Sequence, residues 1–286
     1  MRDFSNDTTA LALNTATLGH NLDGFGAGWD VSRIADACAE RGFGGVVFWR
    51  REIGQDAVRI GNRVRAAGLS VVGLCRAPYL TGPLALSSRD AILDDFRVAI
   101  DQAAGLGAPV LTIVTGGVEP GTKGIGDSLK RIRDLTGAVA GFAAERDVSL
   151  ALEPLHPVYA GDRSALVTMR EAVDIALEID APNVGVAVDV YHVWWDTTLA
   201  ENLVRLGGER IFGFHLCDWL AETRDVLLDR GMMGDGVADL KALRAAVEGA
   251  GYTGFCEVEI FSASNWWKRD QGEVLDVVVD RFRTVC

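Results

Sequence analysis

The feature that most restricts the fold of this 286-residue chain is a repeated alternation. Short apolar, β-branched runs are each followed by a longer stretch with helical periodicity, rich in Ala, Leu, Arg and Glu. The runs at 11–13, 45–48, 70–74, 110–114, 149–152, 184–188, 211–214 and 254–260 predict eight strands. Helices are predicted over 32–40, 56–67, 88–106, 129–145, 164–179, 199–206, 240–251 and 273–283. Gly42, Gly68, Gly107 and Gly251 stand between a helix and the next strand, where glycine accepts the left-handed conformation that ends a helix. Eight strand–helix units at intervals of roughly 35 residues are the count of a (β/α)8 TIM barrel. An open doubly wound sheet would need a glycine-rich phosphate loop directly after an early strand. The first strand instead runs into Asn14-Thr15-Ala16-Thr17-Leu18-Gly19, and the glycine-dense loop from Gly116-Gly117 to Gly126 holds Lys123 without a G-K-[ST] placement. A closed barrel without a nucleotide site is expected.

Composition narrows the class. Apolar residues make up 49% of the chain and charged residues 24%, enough to bury a sizeable core. No linker, charge block or low-complexity tract divides it, so residues 1–286 are expected to form one domain. The formal net charge of −12, with no Lys/Arg-rich run to offset it, argues against nucleic-acid partners. No apolar stretch reaches the about 18 residues needed to span a bilayer, and Met1 to Asp7 does not open a signal segment. Cys38, Cys75, Cys217, Cys256 and Cys286 are scattered and odd in number, without a C-x-x-C pair. A reduced, cytoplasmic, soluble protein without membrane contact is expected.

In such a barrel the chemistry sits at the C-terminal ends of the strands. Strand five ends in Glu153, strand six in Asp189 and strand seven in His215, and strand eight carries Glu257 and Glu259. Singly, each has a plain structural reading as a cap, an ion-pair partner or a buried imidazole. Together they do not, because three carboxylates gathered in one pocket repel one another unless a cation intervenes. Three oxygen donors and one imidazole suit one divalent ion such as Mn²⁺, Mg²⁺ or Co²⁺, with Zn²⁺ a second choice. Glu257 and Glu259 are two apart and face the same side of their strand. Glu259, nearer the mouth, is the candidate ligand, and Glu257 a supporting group one layer below.

A second ring of polar and aromatic residues surrounds these. His192 follows Asp189 by three, His156 follows Glu153 by three, and Arg230 lies in the long loop after strand seven. Each is a candidate substrate contact, Arg230 as a donor to a substrate oxygen or, alternatively, as a loop ion pair. Arg50 and Arg76 also follow strands. Six tryptophans (Trp49, Trp194, Trp195, Trp219, Trp266 and Trp267) fall just after predicted strands. Trp49 and Trp219 are the candidates for stacking on a polyol, with packing or a subunit interface as the alternative. No stretch of the chain forms an evident anion cradle, so an unphosphorylated sugar or polyol is the expected small-molecule partner.

Glu153-Pro154-Leu155, Asp189-x-x-His192, His215-Leu216-Cys217-Asp218 and Val258-Glu259-Ile260-Phe261 resemble the sugar phosphate isomerase/epimerase family of xylose isomerase-like TIM barrels, over most of the chain. The resemblance implies a divalent metal held by Glu153, Asp189, His215 and Glu259, with His192 and Arg230 contacting substrate. It implies an isomerase or epimerase acting on a small keto sugar, keto-inositol or related polyol, with Glu153 and Glu259 as the proton-transferring pair. A homo-oligomer is also expected from it. Two alternatives stand beside this reading. One is a dehydratase or β-eliminating lyase, with His156 or His192 protonating the leaving oxygen; the other is a non-catalytic barrel subunit. The family's DNA-repair branch uses three zinc ions and further histidines from earlier strands. This chain has His20, His156, His192 and His215, with none between 21 and 155, which argues against DNA cleavage.

Overall fold

In a computed structural model that describes residues 3–26 and 28–286, the apolar runs pair in sequence order. β1 (Leu11–Asn14), β2 (Gly45–Trp49), β3 (Ser70–Cys75), β4 (Val110–Val114), β5 (Ser149–Glu153), β6 (Val184–Asp189), β7 (Ile211–Leu216) and β8 (Cys256–Val258) are all parallel and close into a barrel, β8 against β1. Residues such as Leu11, Leu13, Val186 and Val188 are fully buried. A strand covered on both faces has no polar side to show, which is why these segments read as unbroken apolar runs.

The intervening helices ring the barrel: Val31–Glu40, Ala57–Ala66, Arg89–Leu106, Gly126–Ala144, Met169–Ile179, Leu199–Leu206, Leu240–Gly249 and Gln271–Thr284. Each lays an apolar stripe on the strands. Arg89–Leu106, for instance, buries Ile92, Phe96, Ala99, Ile100 and Ala103 at helical spacing, each large side chain contributing about 1.5–3 kcal/mol. That helix stops at Gly107, whose φ of 77° lies in the left-handed region. The helix predicted from 164 begins instead at Met169. Ser164 bridges to Gly116, and Thr168 and Glu171 form a reciprocal capping box that sets the start. Two short helices outside the predicted set, Arg50–Ile53 and Val190–Val193, follow directly on β2 and β6 at the mouth. All five cysteines are buried and unbridged. No helix among the described residues is long and apolar enough to cross a membrane.

Register positions the polar strand ends. Val114 pairs with Glu153, Asp189 with His215, and His215 with Glu257, so neighbouring strands deliver these side chains at matching heights. Glu259 lies one residue beyond β8.

Candidate metal centre

Four of these side chains converge. Ligand atoms of Glu153, Asp189, His215 and Glu259 all lie within 4.8 Å of one another, and all four residues are buried. His215 Nδ1 is 2.9 Å from Glu153 Oε1, and its Nε2 is 3.4 Å from Glu257 Oε2. The Arg230 guanidinium, 3% exposed, donates through Nη1 to Asp189 Oδ2 and Glu259 Oε2, each at 3.0 Å. Tyr191 and Phe261 sandwich it, with ring centroids 4.5 and 4.3 Å from its central carbon. The β7 loop that carries Arg230 is held by Asp218. That carboxylate accepts N–H bonds from Gly234, Gly236 and Ala238, and the Arg230 N–H bonds the carbonyl of Phe261.

The charges do not balance among the described residues. Four buried carboxylates, Glu153, Asp189, Glu257 and Glu259, face Arg230 and His215. Burial raises the Glu259 carboxyl; Arg230 opposes the rise, the charges of Glu153 and Asp189 add to it, and the group is pushed up to about 8. Burial likewise raises Glu257. For Asp189 burial acts upward too, but neighbouring positive charge, Arg230 foremost, outweighs it and holds the carboxyl below its ordinary range. Burial favours a neutral His215, yet Glu257 and Glu153 overcome it and hold the imidazolium well above the usual range. A proton on His215 thus stands where positive charge is wanted. Three carboxylates and an imidazole this close fit a divalent cation, which would take over that role and leave the ring as a neutral donor.

Supporting residues complete the floor. Asn14, at the end of β1, donates through Nδ2 to Glu257 Oε1 (2.6 Å) and Glu259 Oε1 (3.0 Å). Its Oδ1 accepts from Trp49 Nε1 at 2.8 Å. Sequence reasoning missed Asn14 because an amide carries no charge to mark it, although its place at a strand end is the same signal that marks the acids. Glu257, expected as a supporting group, has its Oε2 3.4 Å from His215 Nε2. His192 is buried, and burial pushes its imidazole down to about 3. Its Nδ1 faces the His156 backbone N–H at 3.2 Å, and its Nε2 lies 3.3 Å from Arg230 Nη2 and 3.6 Å from Asp189 Oδ2.

A cavity of about 470 Å³ opens above this floor, within the range of about 300–1,000 Å³ that holds small molecules. Glu153, Glu259, His192, Arg230 and Trp49 line it. His156 and Trp219, expected beside the substrate, do not. Their rings stack on each other with centroids 4.8 Å apart, and Trp195, Tyr191 and Trp194 extend the same aromatic cluster. The physical reason lies in the His156 Nδ1, which accepts the Val158 N–H and turns the ring into its own loop. The cavity wall also includes Arg50, Arg51, Arg76, Tyr79 and Arg163.

Known proteins share this architecture. A Sinorhizobium meliloti 1021 protein of solved structure is 43% identical and superposes with a TM-score of 0.89 over 97% of this chain and 98% of its own. The IOLI protein, solved with a zinc atom bound, is 18% identical with a TM-score of 0.81 over 96% of this chain and 97% of its own, a likeness of fold. Inosose isomerases of Bacillus licheniformis and Bacillus subtilis align at 30% identity over 98 residues and 27% over 135. The aligned stretches span 33% and 45% of this chain, and 34% and 45% of those curated relatives. Residues 35–278, most of the barrel just described, match the family of that architecture, and the chain is therefore a member of the xylose isomerase-like TIM barrels.

Proposed function

We propose that the protein is a divalent-metal-dependent isomerase or epimerase of a small keto sugar, keto-inositol or related polyol. One observation carries the reading: of the four converging side chains, Glu153 and Glu259 line the cavity, whereas Asp189 and His215 are buried and do not. Two carboxylates facing a substrate suit proton transfer, and the two groups behind them suit holding the ion. When bound, the ion, Mn²⁺ or Mg²⁺ by the oxygen-rich donor set, would polarise the ketone and a neighbouring hydroxyl.

One glutamate, Glu153 in this proposal, takes the proton from the carbon beside the carbonyl, and the C–H electron pair moves into an enediolate. Glu259 returns a proton, to the neighbouring carbon for isomerisation or to the opposite face of the same carbon for epimerisation. His192, neutral and fixed by the His156 N–H, orients a substrate hydroxyl. Arg230, locked to Asp189 and Glu259, keeps both carboxylates in place. The partial alignment with inosose isomerases supports a keto-inositol among the substrates. Elimination is less well served: His156, its expected acid, is stacked on Trp219 away from the cavity, and burial holds His192 neutral.

Glu153→Gln is expected to bind substrate and lose exchange of the α-proton with solvent deuterium by about 10²–10⁴-fold. Exchange at the parent rate would remove Glu153 as the base. Mass spectrometry of products separates the outcomes, since isomerisation conserves mass and dehydration loses water.

A further inference from the structure

The loops after β3, β4 and β5 are joined by their backbones into one wall of the mouth. Leu80 and Thr81 donate N–H bonds to the Thr115 carbonyl, Gly116 donates to Arg163, Gly117 to Asp162, and Ala165 returns a bond to Gly116. The approach is too close for side chains. A Cβ on Gly116, whose φ is +93°, would lie 1.9 Å from the Thr81 carbonyl oxygen, and one on Gly117 would meet the Asp162 backbone at 2.6 Å. The glycine pair that carries no nucleotide motif therefore serves to fix what its neighbours present. Those neighbours present Arg76, directly after β3, and Arg163, in the loop after β5, and both line the cavity.

These two differ from the other arginines of the cavity. Arg50 is bound bidentately by Asp95 at 2.7 and 2.9 Å and also donates to Gln102, Arg51 pairs with Asp23, and Arg230 with two carboxylates. Arg76 donates to the Ala77 carbonyl at 3.0 Å and lies 3.6 Å over the Tyr79 ring; among the described residues no carboxylate hydrogen-bonds it, and Asp95, which feels its charge, is taken by Arg50. Arg163 has Asp162 at 3.7 Å, beyond hydrogen-bond reach. Burial lowers the Arg76 pKa, and the positive charges of Arg163 and Arg50 add to the effect. A guanidinium that is always charged, partly buried and set among like charges is stabilised by an anion. The same cavity has an acidic floor, so an anionic group entering it is repelled from Glu153 and Glu259 and drawn to this wall.

We propose that Arg76 and Arg163 bind an anionic substituent, a carboxylate or a phosphate, carried by the keto-sugar substrate away from its ketone. The inference rests on the proposed isomerase reading for the word substrate, but the binding site stands on the arginine geometry alone. It sets a substrate class, acidic or phosphorylated keto sugars, and a direction of entry, with the ketone toward Glu153 and Glu259.

Calorimetric titration of the Mn²⁺-loaded full chain with fructose, 5-keto-gluconate and fructose 6-phosphate tests it. At least one of the two anionic probes is expected to bind roughly tenfold or more tightly than fructose. Whichever does so identifies the carboxylate or the phosphate. Arg76→Gln is expected to abolish that preference and Arg163→Gln to reduce it several-fold, whereas Arg76→Lys retains part of it. Equal or undetectable binding of both anionic probes overturns the proposal, as does a preference that survives the double Arg76→Gln/Arg163→Gln variant. Anion preference without α-proton exchange would sink the isomerase reading alone, and exchange on neutral sugars without the preference would sink this site alone.

Discussion

The two sides of the barrel mouth are built in different ways. On the side of β5 to β8, charge comes from strand ends. Glu153, Asp189, His215 and Glu257 occupy strand positions, and the pairing of Asp189 with His215 and of His215 with Glu257 sets their heights. On the side of β3 to β5, charge comes from loops, and Arg76 and Arg163 meet because glycine backbones let three separate loops touch. The first side holds more acid than its own cations neutralise; the second holds arginines that no carboxylate hydrogen-bonds among the described residues. A sheet tolerates little movement at its strand ends, so the acidic side is a fixed floor. A loop wall can be reshaped without disturbing it, so the proposed chemistry belongs to one side and the proposed choice of substrate to the other.

Breaking the acidic side is expected to have the largest effect. Asp189→Ala removes a candidate ligand and leaves the buried Arg230 with Glu259 alone, a loss of about 3–5 kcal/mol for a broken buried pair. Denaturant titration should register that loss, and added Mn²⁺, expected to raise the melting temperature of the parent protein, should no longer do so. A variant that keeps the full Mn²⁺ shift would detach Asp189 from the metal.

Breaking the other side is expected to be milder and separable. Gly116→Ala forces a Cβ against the Thr81 carbonyl at a positive φ, with a cost of about 1–3 kcal/mol. The preference for anionic keto sugars should fall while the Mn²⁺ shift persists. If both fall together, the two sides are one cooperative unit and the comparison fails. The smallest effect belongs to the aromatic cluster outside both. Trp219→Leu removes stacking on His156 and Tyr191 and is expected to cost about 0.5–1.5 kcal/mol, leaving Mn²⁺ and keto-sugar affinities unchanged. A tenfold loss of sugar affinity in that variant would return Trp219 to the substrate.

Much of this was legible before any coordinates. Strands buried on both faces must be apolar throughout, so β1 to β8 stand out as runs, and the helices between them carry the 3.6-residue stripe. A hydrophilic residue closing such a run is conspicuous, which is how Glu153, Asp189, His215 and Glu259 come into view together. The start of the helix at Met169 was harder to see, since Ser164–Thr168 has acceptable helical residues but is claimed by a bridge to Gly116, 48 positions away in the chain. The orientation of His156 was equally hidden, because a ring three residues past a strand points wherever its loop's hydrogen bonds send it.

By itself, then, the order of residues determined the barrel and the acids at its mouth, because both follow from local periodicity and from where each strand stops. Only the tertiary structure decided that Asn14 ties Glu257 to Glu259, that Arg230 clasps two carboxylates, and that Arg76 and Arg163 share a wall. Those pairings join residues far apart in the chain through loops whose course depends on backbone packing, and no periodic pattern along one strand or helix encodes such a meeting.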